Sequence, residues 1–169
     1  GDALIVMAFE TLGRSGVAQP SRLAPLILTV GRSVSIPSGL VAGQAWECEM
    51  RVPLSIYQKA KTGALFAAAT AAGAAAAGQE AAHWRQLGES IGEAYQVADD
   101  LRDVVGDPDE IGKPVGQDDA HGRPNAAREL GVEGAVARLE GLVEEATGSI
   151  PECPGAEALR ALIAQEAKR

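Results

Sequence analysis

Apolar residues recur at intervals of three and four positions along most of the chain, which is the spacing of one face of an α-helix. No segment alternates apolar and polar residues as a half-buried strand does, and no long internal repeat is found. The pattern therefore predicts an all-α protein. The predicted helices cover residues 2–12, a segment after Pro20 with Ser21 as its cap, 40–49, 54–77 with Gly78 as its cap, 80–105, 132–145 and 156–167.

The helix predicted over 80–105 has one apolar and one acidic side. On a wheel of about 100° per residue, the apolar side holds Leu87, Ile91, Ala94, Ala98, Leu101 and Val105. The opposite side holds Gln96, Asp99, Asp100 and Asp103. Such carboxylates can converge on a hard cation such as Mg²⁺ that is shared with a substrate phosphate. The alternative is a solvated acidic surface, but the helix dipole disfavours carboxylates near a C-terminus unless a cation compensates them.

Positive charges that could face an anion occur in two other segments. Lys59, Lys61 and Thr62 lie near the start of an otherwise uncharged predicted helix, and Lys113 lies in a Gly- and Pro-rich loop predicted over 112–124. Both segments fit the binding of a diphosphate. Each also fits ordinary surface lysines, whose alkyl stems cover apolar surface while the charge stays in water.

Composition and charge narrow the class of protein. A chain of 169 residues is long enough for one domain with a real core. Its net charge of −8 argues against sequence-independent binding of nucleic acid, because that binding depends on excess positive charge. The two cysteines, Cys48 and Cys153, form no metal-binding pair, so a reducing cytoplasm is the expected location. The uncharged stretch 62–79 is mostly Ala, Gly and Thr, which is a poor match to a membrane span.

Three motifs for other chemistries fail on spacing. Gly106–Lys113 resembles a P-loop, but five residues rather than four separate its two glycines. Residues 107–118 resemble a calcium-binding loop, but Ile111 occupies a ligand position. Glu80 and His83 have the spacing of half a di-iron motif, and a di-iron bundle needs two such pairs. None of these sites is therefore expected.

The segment Gly92–Asp103 resembles the second aspartate-rich motif of the trans-polyprenyl diphosphate synthases, in which Phe-Gln precedes Asp-Asp-x-x-Asp. Tyr95 stands in the place of the usual Phe. Three further motifs, Gly43–Gln44, Lys61–Gly63 and Gly112–Lys113, follow the order and spacing of that family. The agreement of four motifs is more specific than any one of them. The amino-acid sequence in and around these motifs most resembles that of bacterial geranylgeranyl diphosphate synthases of carotenoid pathways.

The resemblance implies a partial helical bundle of the isoprenoid-synthase type. Residues 1–169 resemble the C-terminal portion of a single synthase domain, without the first aspartate-rich motif and the basic residues that hold isopentenyl diphosphate. The complete protein is expected to be a homodimer. The isolated chain is expected to be inactive, because condensation needs both substrates held in line.

The resemblance also implies the reaction and its cofactor. A Mg²⁺-dependent prenyltransferase would join isopentenyl diphosphate to an allylic diphosphate and give a short isoprenoid diphosphate, expected to be geranylgeranyl diphosphate. Asp99 would be the principal metal ligand, with Asp100 and Asp103 as direct or water-mediated partners. Lys61 and Lys113 would bind diphosphate oxygens and neutralise charge as the C–O bond breaks.

Three other residues acquire roles from the same resemblance. Thr62 and Gln96 would present oxygen dipoles to the allylic cation, and Tyr95 would line the substrate site.

Two alternatives come from other classes of protein. One is a non-catalytic subunit that regulates an active synthase, which the intact acidic motif and Lys61 disfavour. The other is a di-metal redox bundle, which the shortage of histidine ligands disfavours.

Overall fold

The computed structural model describes residues 1–15, 18–49, 52–106 and 124–167, and within these ranges every regular element is helical. The all-α prediction is therefore confirmed. The elements in chain order are α1 (Asp2–Ser15), α2 (Pro20–Val34), α3 (Leu40–Ala45), a 3₁₀ turn (Trp46–Cys48), α4 (Leu54–Gln58), a π-helical turn (Lys59–Gly63), α5 (Ala64–Ala76), α6 (Ala82–Val105), α7 (Ala126–Gly148) and α8 (Ala156–Glu166). No helix in the described ranges is both long and apolar enough to cross a membrane.

The caps at two helix ends test the predicted boundaries. The predicted cap at Ser21 is wrong, because α2 begins at Pro20, whose missing N–H would have no partner in the first turn. Gly78 does end the helical run before it, with a φ of 75°. Its N–H donates to the carbonyl of Ala75, and the N–H of Gln79 donates to Ala74. This is the pattern of a left-handed glycine cap.

The single helix predicted over 54–77 is interrupted by the π-helical turn at Lys59–Gly63. The sequence pattern did not predict this turn, because its residues suit an ordinary α-helix. A π turn adds one residue to a helical turn and is frequently found at functional sites. Here it contains Lys61 and Thr62, both of which are predicted site residues.

Helix α7 begins six residues before the predicted start at residue 132. The Asn125 side chain caps it by accepting the N–H of Arg128, with 3.2 Å between the N and Oδ1 atoms. Gly131 then leaves helical geometry, with φ 73° and ψ 162°. The predicted start therefore coincides with the second part of α7, after this kink, and the first turn was missed.

Helix α6 forms the centre of the described structure, with α5 packed on one side and α7 on another. Its buried residues are spread around its circumference and include Leu87, Gly92, Val97 and Leu101. Val105, placed on the apolar side of the wheel, is 62% exposed. Asp100 and Asp103 are buried, so a solvated acidic surface does not describe them. The helix is thus enclosed around its acidic residues.

Candidate functional site

The Gly43–Gln44 motif lies against the π-helical turn. A Cβ atom on Gly43 would lie 2.4 Å from the backbone N of Lys61 and 2.5 Å from its Cα. These distances are shorter than any normal contact, so only glycine permits helix α3 to approach the turn this closely. The approach places the residues that follow Gly43 beside the side chain of Lys61.

Lys61 donates hydrogen bonds to the Glu47 carboxylate and to the Tyr57 hydroxyl, the latter at 2.7 Å. Tyr57 donates its own hydroxyl hydrogen to Glu47 at 3.0 Å, and Gln44 donates to the other Glu47 oxygen at 2.7 Å. The Lys61 and Glu47 side chains are only 25% and 11% exposed. Glu47 and Tyr57 were not predicted as site residues, although the spacing of Gln44 and Glu47 on one helical face was visible in the sequence.

The surroundings of Lys61 and Tyr57 shift both of their pKa values upward. Burial alone would lower the pKa of the Lys61 ammonium, but its hydrogen bonds to Glu47 and Tyr57 and the charge of Glu47 outweigh burial and raise it. Burial raises the pKa of the Tyr57 phenol; Lys61 opposes this shift, and Glu47 adds to it. Lys61 is therefore held as a cation that already has an anionic partner.

Raising the pH above about 10 should destabilise the protein, because Lys61 and Tyr57 then lose their protons. Folding raises both pKa values above their ordinary 10.5 and 10.0. The stabilisation that the Lys61 and Tyr57 groups contribute is complete below their ordinary pKa values. It is lost as the pH rises through their folded-state pKa values. We expect Tm to decline as the pH rises above about 10, measured by circular dichroism. Glu47→Gln should decline less over the same range, and an equal decline would contradict this assignment.

The π-helical turn also contacts α6, through Gly92. A Cβ on Gly92 would lie 2.6 Å from the Cα of Gly63, so the two backbones meet directly at this crossing. The crossing brings Thr62 and Gln96 together, and the Thr62 hydroxyl donates to Gln96 Oε1 at 2.7 Å. Thr62 and Gln96, two predicted site residues from distant parts of the sequence, are thus joined by a hydrogen bond.

Tyr95 precedes Gln96 on α6 and is 55% exposed. Its ring centroid lies 5.6 Å from that of Phe66 on α5, in a tilted arrangement typical of aromatic pairs. Tyr95 also lines an apolar cavity of about 360 Å³ between α6, α7 and α8. Its predicted role in substrate binding stays a prediction.

The three predicted acidic ligands differ in their surroundings. Asp100 is 1% exposed, Asp103 is 4% exposed and Asp99 is half-buried. Among the described residues, no three His, Cys, Asp or Glu side chains are grouped so that they alone could hold a metal. Magnesium is commonly bound by one or two carboxylates together with substrate phosphates. The oxygen ligands offered here suit that kind of shared site, and metal binding by these residues stays a prediction.

Of the predicted site residues Gln96 and Lys113, the structure describes only Gln96. Gln96 joins the acidic motif, because its amide nitrogen donates to Asp100 Oδ1 at 2.9 Å. Lys113 lies outside the described residues. The structure therefore links Thr62, Gln96 and Asp100 in one chain of hydrogen bonds.

Gly43→Ala should destabilise the protein by about 1–3 kcal/mol, the usual cost of overpacking a buried contact. The added methyl group meets the backbone of Lys61, which cannot move aside as a side chain could. Gly73→Ala is the matched control, because its Cβ would meet nothing within 4 Å on α5. The control should be neutral or stabilising by up to about 1 kcal/mol, since Ala favours helix more than Gly. Urea unfolding measures both, and similar free energies of unfolding for the two variants would contradict the close approach.

The polyprenyl synthetase family profile matches residues 1–154, and the chain belongs to this family. The geranylgeranyl diphosphate synthase of Cereibacter sphaeroides is 52% identical over 169 residues, which are 100% of this chain and 59% of the relative. The geranylgeranyl diphosphate synthase of Rhodobacter capsulatus is 47% identical over 163 residues, 96% of this chain and 56% of the relative. The chain spans somewhat more than half the length of these curated relatives.

Solved structures agree on the architecture. A geranyltransferase from Helicobacter pylori, crystallised with magnesium and isoprenyl diphosphate, superposes with a TM-score of 0.83 at 26% identity. The match covers 100% of this chain and 59% of that one. An FPP/GFPP synthase from Zymomonas mobilis gives a TM-score of 0.77 at 29% identity, over 98% of this chain and 58% of that one. The predicted partial bundle of the isoprenoid-synthase type is confirmed.

Proposed function

We propose that this chain is the C-terminal portion of a Mg²⁺-dependent prenyltransferase that joins isopentenyl diphosphate to an allylic diphosphate. Geranylgeranyl diphosphate is the proposed product, because the two relatives at 52% and 47% identity are geranylgeranyl diphosphate synthases. The observation that carries the proposal is the placement of Lys61 and Thr62 on one π-helical turn, with Thr62 bonded to Gln96 on the acidic helix. A cation and an aligned oxygen are what an allylic diphosphate requires as it ionises.

Asp99 and Asp103 are the residues we assign to hold Mg²⁺, which when bound would neutralise charge on the diphosphate oxygens. Lys61 would bind a diphosphate oxygen and stabilise the negative charge that grows as the C–O bond breaks and the diphosphate leaves with the electron pair. Lys113, outside the described residues, would contribute a second positive charge. The double bond of isopentenyl diphosphate then attacks the allylic carbon, and loss of a proton completes the longer chain.

The Glu47 contact has a consequence for substrate binding. Lys61 is already paired with a carboxylate, so it remains charged and oriented before a diphosphate binds. Binding a diphosphate oxygen then requires Lys61 to add a contact or exchange one. Thr62 and Gln96, on neighbouring elements, would face the positive charge that develops on the allylic carbon.

The regulatory-subunit alternative requires the same fold without turnover. We disfavour it because the acidic motif and Lys61 are intact and the relatives at about half identity are synthases. A homodimer and a cytoplasmic location stay predictions.

The decisive experiment is an elongation assay with radiolabelled isopentenyl diphosphate and three allylic primers of 5, 10 and 15 carbons. The complete natural protein should give a labelled 20-carbon product that depends on Mg²⁺. Residues 1–169 alone should give none, because this piece lacks a match to the first aspartate-rich motif. No elongation by the complete protein, together with stimulation of a separate synthase, would support the regulatory alternative instead.

A further inference from the structure

The carboxylate of Asp100 is enclosed by hydrogen-bond donors from three elements. Its Oδ2 atom accepts from the Gln58 amide at 3.0 Å and from the backbone N of Ala126 at 2.8 Å. Its Oδ1 atom accepts from the Gln96 amide nitrogen at 2.9 Å. The N-terminal end of α7, where Ala126 lies, also carries the positive end of the helix dipole. Each of these described contacts is with an N–H donor, which is the arrangement an anion prefers.

These contacts give the hydrogen bonds a fixed direction. A carboxylate can only accept, so the nitrogen of the Gln96 amide must face Asp100. The Gln96 oxygen must then face Thr62. Because this oxygen can only accept, Thr62 must donate its hydroxyl hydrogen to it. With its one hydrogen used in this way, the Thr62 oxygen has only lone pairs to offer any other neighbour.

We propose that Asp100 is a positioning residue, not a direct ligand of Mg²⁺. Its charge sets the direction of the chain from Asp100 through Gln96 to Thr62, so that the Thr62 oxygen presents lone pairs to the developing allylic cation. The catalytic part of this inference rests on the proposed function. The direction of the hydrogen bonds rests on the contacts themselves.

Asp100→Asn tests the direction with little change in shape. The remaining side-chain oxygen can keep the bonds from Gln58 and Ala126, while the new amide nitrogen faces the nitrogen of Gln96. Gln96 must then turn over, and Thr62 would accept from it and point its hydrogen outward. Adding Gln96→Glu restores the direction, because the new carboxylate accepts both from the amide introduced at position 100 and from Thr62. The double variant moves the negative charge from one residue to the next without changing its total.

We expect Asp100→Asn to lower kcat about tenfold or more, on the scale of one misdirected dipole at a charged transition state. The KM for the allylic substrate and the Mg²⁺ concentration for half-maximal activity should change less than about twofold. The double variant should recover most of the lost kcat. Asp99→Asn is the comparison for a metal ligand and should raise the Mg²⁺ requirement strongly. A raised Mg²⁺ requirement in Asp100→Asn, or no recovery in the double variant, would overturn the proposal.

Thermal unfolding separates this inference from the proposed function. Gln96→Glu alone places two carboxylates in contact and should lower Tm, and Asp100→Asn alone should also lower it. The double variant should lose less than Gln96→Glu does alone, even if the protein catalyses no elongation. That result without activity would refute the proposed function and leave the hydrogen-bond direction supported. Additive losses of Tm would show that the two side chains do not form a directed pair.

Discussion

Lys61→Ala should lower the turnover of the complete protein in the proposed elongation reaction by about 10²-fold or more, the scale of losing one electrostatic group that acts on a developing charge. Lys61 lies on the π-helical turn and its ammonium donates to Glu47 and Tyr57, so it is oriented before a diphosphate binds. Steady-state elongation kinetics measure kcat and KM. The loss should fall mainly on kcat, because the charge on the diphosphate grows as the C–O bond breaks.

Lys59→Ala is the control for this prediction. Lys59 is exposed on the same π-helical turn, two residues before Lys61, and should keep near-normal turnover when it is replaced. Equal losses in the two variants would mean that net charge, not the placement of Lys61, sets the rate. Unchanged turnover in Lys61→Ala would remove Lys61 from the mechanism.

Asp99→Ala should reduce turnover by a similar factor, again about 10²-fold or more. Asp99 is half-buried on α6, beside the enclosed Asp100, and is the residue we assign as the principal ligand. In the unmodified protein, Mg²⁺ with inorganic diphosphate should raise Tm more than Mg²⁺ alone, because ligands that bind the folded state stabilise it. Asp99→Ala should abolish that additional rise.

Glu140→Ala on the exposed side of α7 is the matched control, since it removes the same charge elsewhere. It should retain both turnover and the thermal shift. Normal turnover in Asp99→Ala would exclude a metal-binding role for this carboxylate. A thermal shift that is the same with and without diphosphate would count against a site shared between metal and substrate.

Helical spacing was sufficient to predict the class of fold and most helix positions. It also placed Gln96 and Asp100 on one side of α6, where they are bonded to each other. The wheel assigned Val105 to the buried side, but Val105 is the last residue of α6 and is exposed, whereas the packing of α5 and α7 buries Asp100 and Asp103 on the side taken as polar. The family resemblance, not periodicity, identified Thr62 and Gln96 as parts of one site.

The features that were not predicted depend on contacts between distant segments. The Lys61–Glu47 pair exists because α3 approaches the π-helical turn at Gly43, which no local pattern reveals. The missed start of α7 is tied to α6, because the Asn125 side-chain amide donates to the backbone carbonyl of Asp100 at 3.3 Å. Local sequence patterns report propensity and periodicity, whereas these features follow from which segments meet in the folded chain.

The crossing of the π-helical turn and α6 has almost no side-chain volume to lose. Gly92 meets the backbone of Gly63 there, and the buried Ala67 and Ala71 follow on α5. Mutations that shrink a residue can therefore remove very little at this crossing, whereas nearly every enlargement forces two backbones apart. Because Thr62 donates a hydrogen bond to Gln96 across this crossing, a larger residue here would also displace the two side chains from each other. The substitutions that this segment tolerates are therefore limited to residues no larger than those present.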